Sequence, residues 1–102
     1  MNFVKKLDGS MAMTTTIETT LAERGSNYGL FKSHADITMA LKRVIEDTPA
    51  WSRMTDSQRE ALHMIAHKVG RICNGNPNYA DSWVDISGYA TLVVKEFNNE
   101  PV

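Results

Sequence analysis

At 102 residues, with 42% hydrophobic and 23% charged side chains, the chain can bury one modest core and is too apolar to be a disordered segment. Eleven Lys and Arg against twelve Asp and Glu leave a formal charge of −1, which excludes a global field for nucleic acid or for an acidic membrane surface. A single cysteine, Cys73, excludes an internal disulfide, and no apolar run is long enough for a signal peptide or a membrane span, so a cytoplasmic setting without membrane contact is the expectation.

Residues 1–13 lack an apolar period and read as a flexible arm. A single helical domain is expected over 14–98, with a short tail at 99–102. Thr14-Thr15-Thr16 precedes Ile17, Leu21 and Ala22, a short amphipathic pattern that predicts a first helix ended by Gly25. Gly25-Ser26-Asn27-Tyr28-Gly29 has the composition of a loop. A second helix is expected from Ser33, its N-cap, to Asp47, with Ile37, Ala40, Leu41, Val44 and Ile45 as the apolar stripe and Pro49 as the stop.

Thr55-Asp56-Ser57-Gln58 has the form of a capping box and marks the best-defined boundary in the chain. The third helix then runs from Asp56 to about Cys73, closing at Asn74-Gly75. Its expected core stripe is Leu62, Ile65, Ala66, Val69, Ile72 and Cys73, while Glu60, His63, His67 and Arg71 fall on the other side. Gly70, Ala66 and Cys73 make a small-residue groove for which Trp83 is the candidate filler. Asn78 is placed to cap a fourth helix reaching about Asn98, with Trp83, Ile86, Ala90, Val93 and Phe97 on one stripe and Tyr89 and Leu92 towards the opposite side. A helix covered on two sides in so short a chain predicts a homodimer. The fold class is therefore all-α, a bundle of about four helices.

The sharpest chemical feature is the pair Asp81 and Asp85, one turn apart, with side chains about 6 Å from each other. A divalent cation such as Mg²⁺, or an arginine between them, would relieve their repulsion; the plainer reading makes Asp81 a first-turn charge on the helix dipole and Asp85 an exposed or paired acid. Glu60 would complete a three-carboxylate cluster. In an antiparallel pair of helices, however, Glu60 falls nearer Leu92, and Lys68 and Arg71 are better placed to meet Asp81 and Asp85. His63 and His67 share a helix face without the Glu of a zinc-protease motif, and so read as structural. Cys73 reads as a small core residue.

The segments Glu23-Arg24-Gly25-x-x-Tyr28-Gly29, Arg59-Glu60-Ala61-Leu62-x-Met64-Ile65-x-x-Lys68-x-x-Arg71-Ile72 and Asp81-Ser82-Trp83-x-Asp85-Ile86-x-Gly88-Tyr89 resemble an uncharacterised family of small phage and prophage proteins. Their pattern is distantly similar to the MazG-like all-α nucleoside triphosphate pyrophosphatases. That resemblance implies a helical fold assembled as a dimer or tetramer and Mg²⁺ on acidic residues, here Asp81, Asp85 and Glu60. It implies phosphate oxygens held by Lys68 and Arg71. Separately, the loop carrying Glu23, Arg24 and Tyr28 is placed to close over a ligand. Where the enzymes carry several glutamates, this chain has His63 and His67, which weakens the metal site more than it weakens nucleotide binding. The expectation is a nucleotide or phosphate binder with Mg²⁺-dependent hydrolysis in question. The alternative is a non-enzymatic protein that inhibits a host enzyme or defence complex through a helical surface.

Overall fold

The computed structural model describes residues 9–102, with side chains from residue 16 onward. Four helices and no strand are found among the described residues: α1 Gly9–Tyr28, α2 Phe31–Glu46, α3 Asp56–Asn74 and α4 Ala80–Phe97, with a one-turn 3₁₀ helix at Trp51–Arg53 between α2 and α3. No helix among the described residues is long and apolar enough to cross a membrane.

The bundle is built on α3. Its start is fixed by the predicted capping box: Thr55 Oγ1 accepts from Gln58 N at 3.1 Å, and Gln58 Oε1 accepts from Thr55 N at 2.9 Å. From there α3 runs between α2 and α4, antiparallel to both. On one side His63 meets Glu46 and His67 meets His34, so the α2 face of α3 is His63, His67, Gly70 and Asn74 at helical spacing. On the other side Ser57 donates to Glu96 at 2.8 Å and Lys68 pairs with Asp85 at 2.9 Å, which sets α4 in register.

Packing shifts several expected stripes. The most deeply buried positions on α3 are Ala61, Ala66 and Gly70, because small residues there let the neighbouring backbones approach. The groove at Gly70 is filled from α2: a Cβ on Gly70 would strike Thr38 Oγ1 and the His34 ring. Trp83, its expected filler, is instead 55% exposed and donates Nε1–H to the Pro77 carbonyl at 2.9 Å. Cys73 is exposed rather than part of the core. On α2 the buried line is His34 and Thr38, and Val44 of the expected stripe lies 69% exposed. On α4 the buried residue is Ser82, with Ile86 and Val93 half-buried on the same side, so the stripe read from Trp83 to Phe97 is split along its length.

The helix ends also moved. The first helix passes through Gly25 and stops at Tyr28, where Gly29 takes a φ of +79° and donates to the Gly25 carbonyl at 3.0 Å. The left-handed conformation decides the end, and of Gly25 and Gly29 it is Gly29 that adopts it. Helix α2 begins two residues before Ser33, with Leu30 as N-cap and no side-chain cap, and α4 is capped from Tyr79 rather than Asn78. Of the arm expected over 1–13, residues 1–8 lie outside the described residues, and the backbone of 9–13 belongs to α1.

Candidate functional site

The α1–α2 junction is pinned to the C-terminal end of α3. Asn74 Nδ2 donates to the Tyr28 carbonyl at 2.7 Å and to the Leu30 carbonyl at 3.0 Å, and Asn76 N donates to the Asn27 carbonyl at 2.7 Å. This clamp holds the end of α1 against α3 and opens a cavity of about 330 Å³ among the three helices. Arg24 and Tyr28 reach it from α1, Phe31 and His34 from α2, and His67 and Arg71 from α3. Of the residues expected to bind phosphate, Arg24, Tyr28 and Arg71 are thus brought together.

Arg71 stacks its guanidinium on the Tyr28 ring, 4.1 Å from the ring centre, a contact that orients the cation without neutralising it. Neither Arg24 nor Arg71 forms an ion pair with a carboxylate among the described residues. Behind them the His34 and His67 rings meet edge to face with centres 4.7 Å apart. Burial is the main force holding His67 neutral, its pKa lowered to about 4, with the Arg71 charge and then His34 adding to the effect. His34 is lowered for the same first reason, opposed by a hydrogen bond with the Gly70 backbone. The cavity therefore presents two permanent cations, two neutral imidazoles and two aromatic rings.

The remaining expected site residues lie elsewhere. Lys68, only 11% exposed in its side chain, is held by Asp85 in the α3–α4 seam and does not line the cavity. This ion pair is the salt-bridged meeting of α3 and α4 that the connection length implies. Asp81 accepts a hydrogen bond from the Tyr79 hydroxyl at 3.0 Å, which pushes the Tyr79 pKa up. Glu60 sits towards the far end of α4, sharing a cleft with Ser57, Leu92 and Glu96. Antiparallel packing separates it from Asp81 and Asp85. No group of three His, Cys, Asp or Glu side chains placed to hold a metal ion occurs among the described residues, so one copy of the chain does not fit Mg²⁺ at the expected trio.

His63 takes a structural role further along the same α2-facing side of α3: its ring bonds Glu46 at 2.6 Å and stacks near Trp51, 5.0 Å between centres. Sequence reasoning missed His34 and Thr38. Their signal was a polar pair one turn apart opposite a small-residue groove that had been assigned to a tryptophan.

A second cavity, about 550 Å³, opens between the 3₁₀ turn, α3 and α4 and is lined mainly by apolar side chains, among them Met54, Leu62, Ile65 and Val93. Arg53 stands at its edge and donates to the Pro49 carbonyl at 2.8 Å. Nothing in its lining brings titratable groups together.

Comparison with curated proteins and with solved structures gives no match. A family model does match, over residues 12–96, and so covers nearly all of the helical domain and every residue of the cavity. On that match the chain belongs to the family described as a domain of unknown function (DUF6378).

Proposed function

We propose that this protein binds a nucleotide or a related phosphate ligand in the cleft between α1, α2 and α3. The observation that carries the reading is the convergence of Arg24 and Arg71, neither paired with a carboxylate among the described residues, on a cavity that also presents Tyr28 and Phe31. Guanidinium forks hold phosphate oxygens through paired charge-assisted hydrogen bonds, and exposed aromatic faces hold flat rings. A MazG-like fold and a phage or prophage origin belong to the same proposal, on the motif segments and the four-helix architecture. Because Glu60 stands apart from Asp81 and Asp85 in one chain, no hydrolytic step is derived for them.

Titration calorimetry with a panel of nucleoside mono- and triphosphates, with and without Mg²⁺, beside a pyrophosphate-release assay, tests this reading. Binding is expected, and Arg71→Ala should weaken it about tenfold or more, the loss of one charge-assisted contact. Release abolished by Asp85→Asn would extend the reading to hydrolysis. No binding by a folded protein would remove it.

A second reading is favoured by the outer side of α4. Trp83, Val94 and Phe97 are 55%, 54% and 66% exposed and form an apolar stripe beside the larger cavity. Such a surface suits an interaction protein that inhibits a host enzyme or defence complex, or a second copy in a homodimer. A folded chain that binds no nucleotide would favour it.

A further inference from the structure

The composition of the α1–α2–α3 cavity narrows the ligand beyond a general phosphate compound. Arg24 and Arg71 are its two charged side chains, and no Asp or Glu lines it. Glu23, next to Arg24 in sequence, opens instead onto the neighbouring cleft with Asn27 and Tyr79, which Arg24 and Tyr28 also border. Of the lysines outside the cavity whose charge acts on its histidines, Lys68 on α3 is engaged by Asp85, and Lys42 on α2 does not line the cavity. The lining thus offers two positive charges and no carboxylate to hold a divalent cation.

A phosphomonoester carries a charge of about −1.5 to −2 at neutral pH, which two guanidiniums match. A triphosphate carries more, and its surplus is ordinarily met by Mg²⁺ on carboxylates, which this cavity lacks. Size points the same way: about 330 Å³ lies at the small end of the range for ligand sites, roughly 300–1,000 Å³. Beside the arginines the rim is apolar and open, with Leu21, Leu30 and Phe31 at 61%, 77% and 80% exposure. Those three residues form a lip on which a flat ring can lie while its phosphate reaches inward.

We infer that the cavity takes a nucleoside monophosphate without a divalent cation, its phosphate between Arg24 and Arg71 and its base against the lip of Leu30 and Phe31. The inference rests on the nucleotide-binding reading and sharpens it. Neutral His34 and His67 offer ring N–H and N positions near the phosphate without adding charge.

The test is calorimetry on the full chain with AMP and GMP, each in EDTA and again in Mg²⁺, with adenosine, inorganic phosphate and Mg²⁺-ATP as comparison ligands. The expected result is monophosphate binding unchanged within about twofold between EDTA and Mg²⁺, with adenosine and inorganic phosphate each about tenfold weaker or worse. Arg24 is exposed and makes no ion pair among the described residues, so Arg24→Ala should fold normally by circular dichroism and still weaken AMP about tenfold. Monophosphate binding that needs Mg²⁺, or Mg²⁺-ATP binding with no AMP binding, would overturn the inference and leave the nucleotide reading standing. Inorganic phosphate binding as tightly as AMP would overturn the role of the lip. Failure of every nucleotide under both conditions would overturn both.

Discussion

His67 shows how a polar residue becomes structural through its surroundings. Its ring lies edge-on to His34 and beside the Arg71 guanidinium, and Lys42 and Lys68 add charge from α2 and α3. The folded state holds its pKa at about 4, below the ordinary 6.5. Between those values the unfolded chain takes up a proton that the folded chain refuses. The stability contributed by neutral His67 is therefore fully present above about pH 6.5, falls as the pH drops through the window, and levels off below about pH 4. Thermal melts from neutral pH down to about pH 4.5 should show a falling Tm, and His67→Gln should flatten part of that slope. An unchanged slope in the variant would assign the loss to other groups. His67 was visible in the sequence as one of two histidines on a helix face, but its neutral state was not, because it depends first on burial and then on charges and the His34 ring brought by another helix.

At the scale of elements, the seam between α2 and α3 depends on a glycine and the seam between α3 and α4 on an ion pair. Two glycines give opposite expectations that separate packing from helix propensity. Gly70 faces Thr38 and His34, so the methyl of Gly70→Ala must force them aside, a strain of about 1–3 kcal/mol that exceeds the gain of about 1 kcal/mol in helix propensity. Net destabilisation is expected. Gly88, inside α4 with open space where its Cβ would be, should gain about 0.5–1 kcal/mol as Gly88→Ala. Urea denaturation of the two variants checks both signs, and equal shifts would show that Gly70 is not a contact glycine. The capping box and the number of helices were legible because they are local: a hydroxyl, an amide three residues on, and a run with helical period. The identity of the buried stripes was not, since α3 is covered on two sides and its small residues, rather than its large ones, sit deepest.

For the molecule as a whole, the interior is thin. No large side chain is fully buried among the described residues, and the buried apolar residues are Ala61 and Ala66. A chain with so little sequestered apolar surface gains from a partner. The exposed stripe of Trp83, Val94 and Phe97 on α4, with Trp83 already hydrogen-bonded at its polar end, is the surface on which a homodimer is proposed. Light scattering on the purified protein is expected to give twice the 11.4 kDa chain mass, and Val94→Lys should return it to the monomer with helicity intact. A native protein that stays monomeric at high concentration would remove the homodimer and leave the stripe to another partner.

By itself the sequence determined the all-helical class, the four-helix count and the start of α3, because period, caps and breakers act over a few residues. It also carried the meeting of α3 and α4 through a salt bridge, which follows from a short connection and the charges near it. Tertiary structure decided the rest. It chose Gly29 over Gly25 as the end of α1 and gave the small-residue groove to Thr38 and His34 instead of Trp83. It also drew Arg24, Tyr28, His34, His67 and Arg71 from three helices to one cavity. Which side chains share a space depends on how helices cross, and no single helix contains that information.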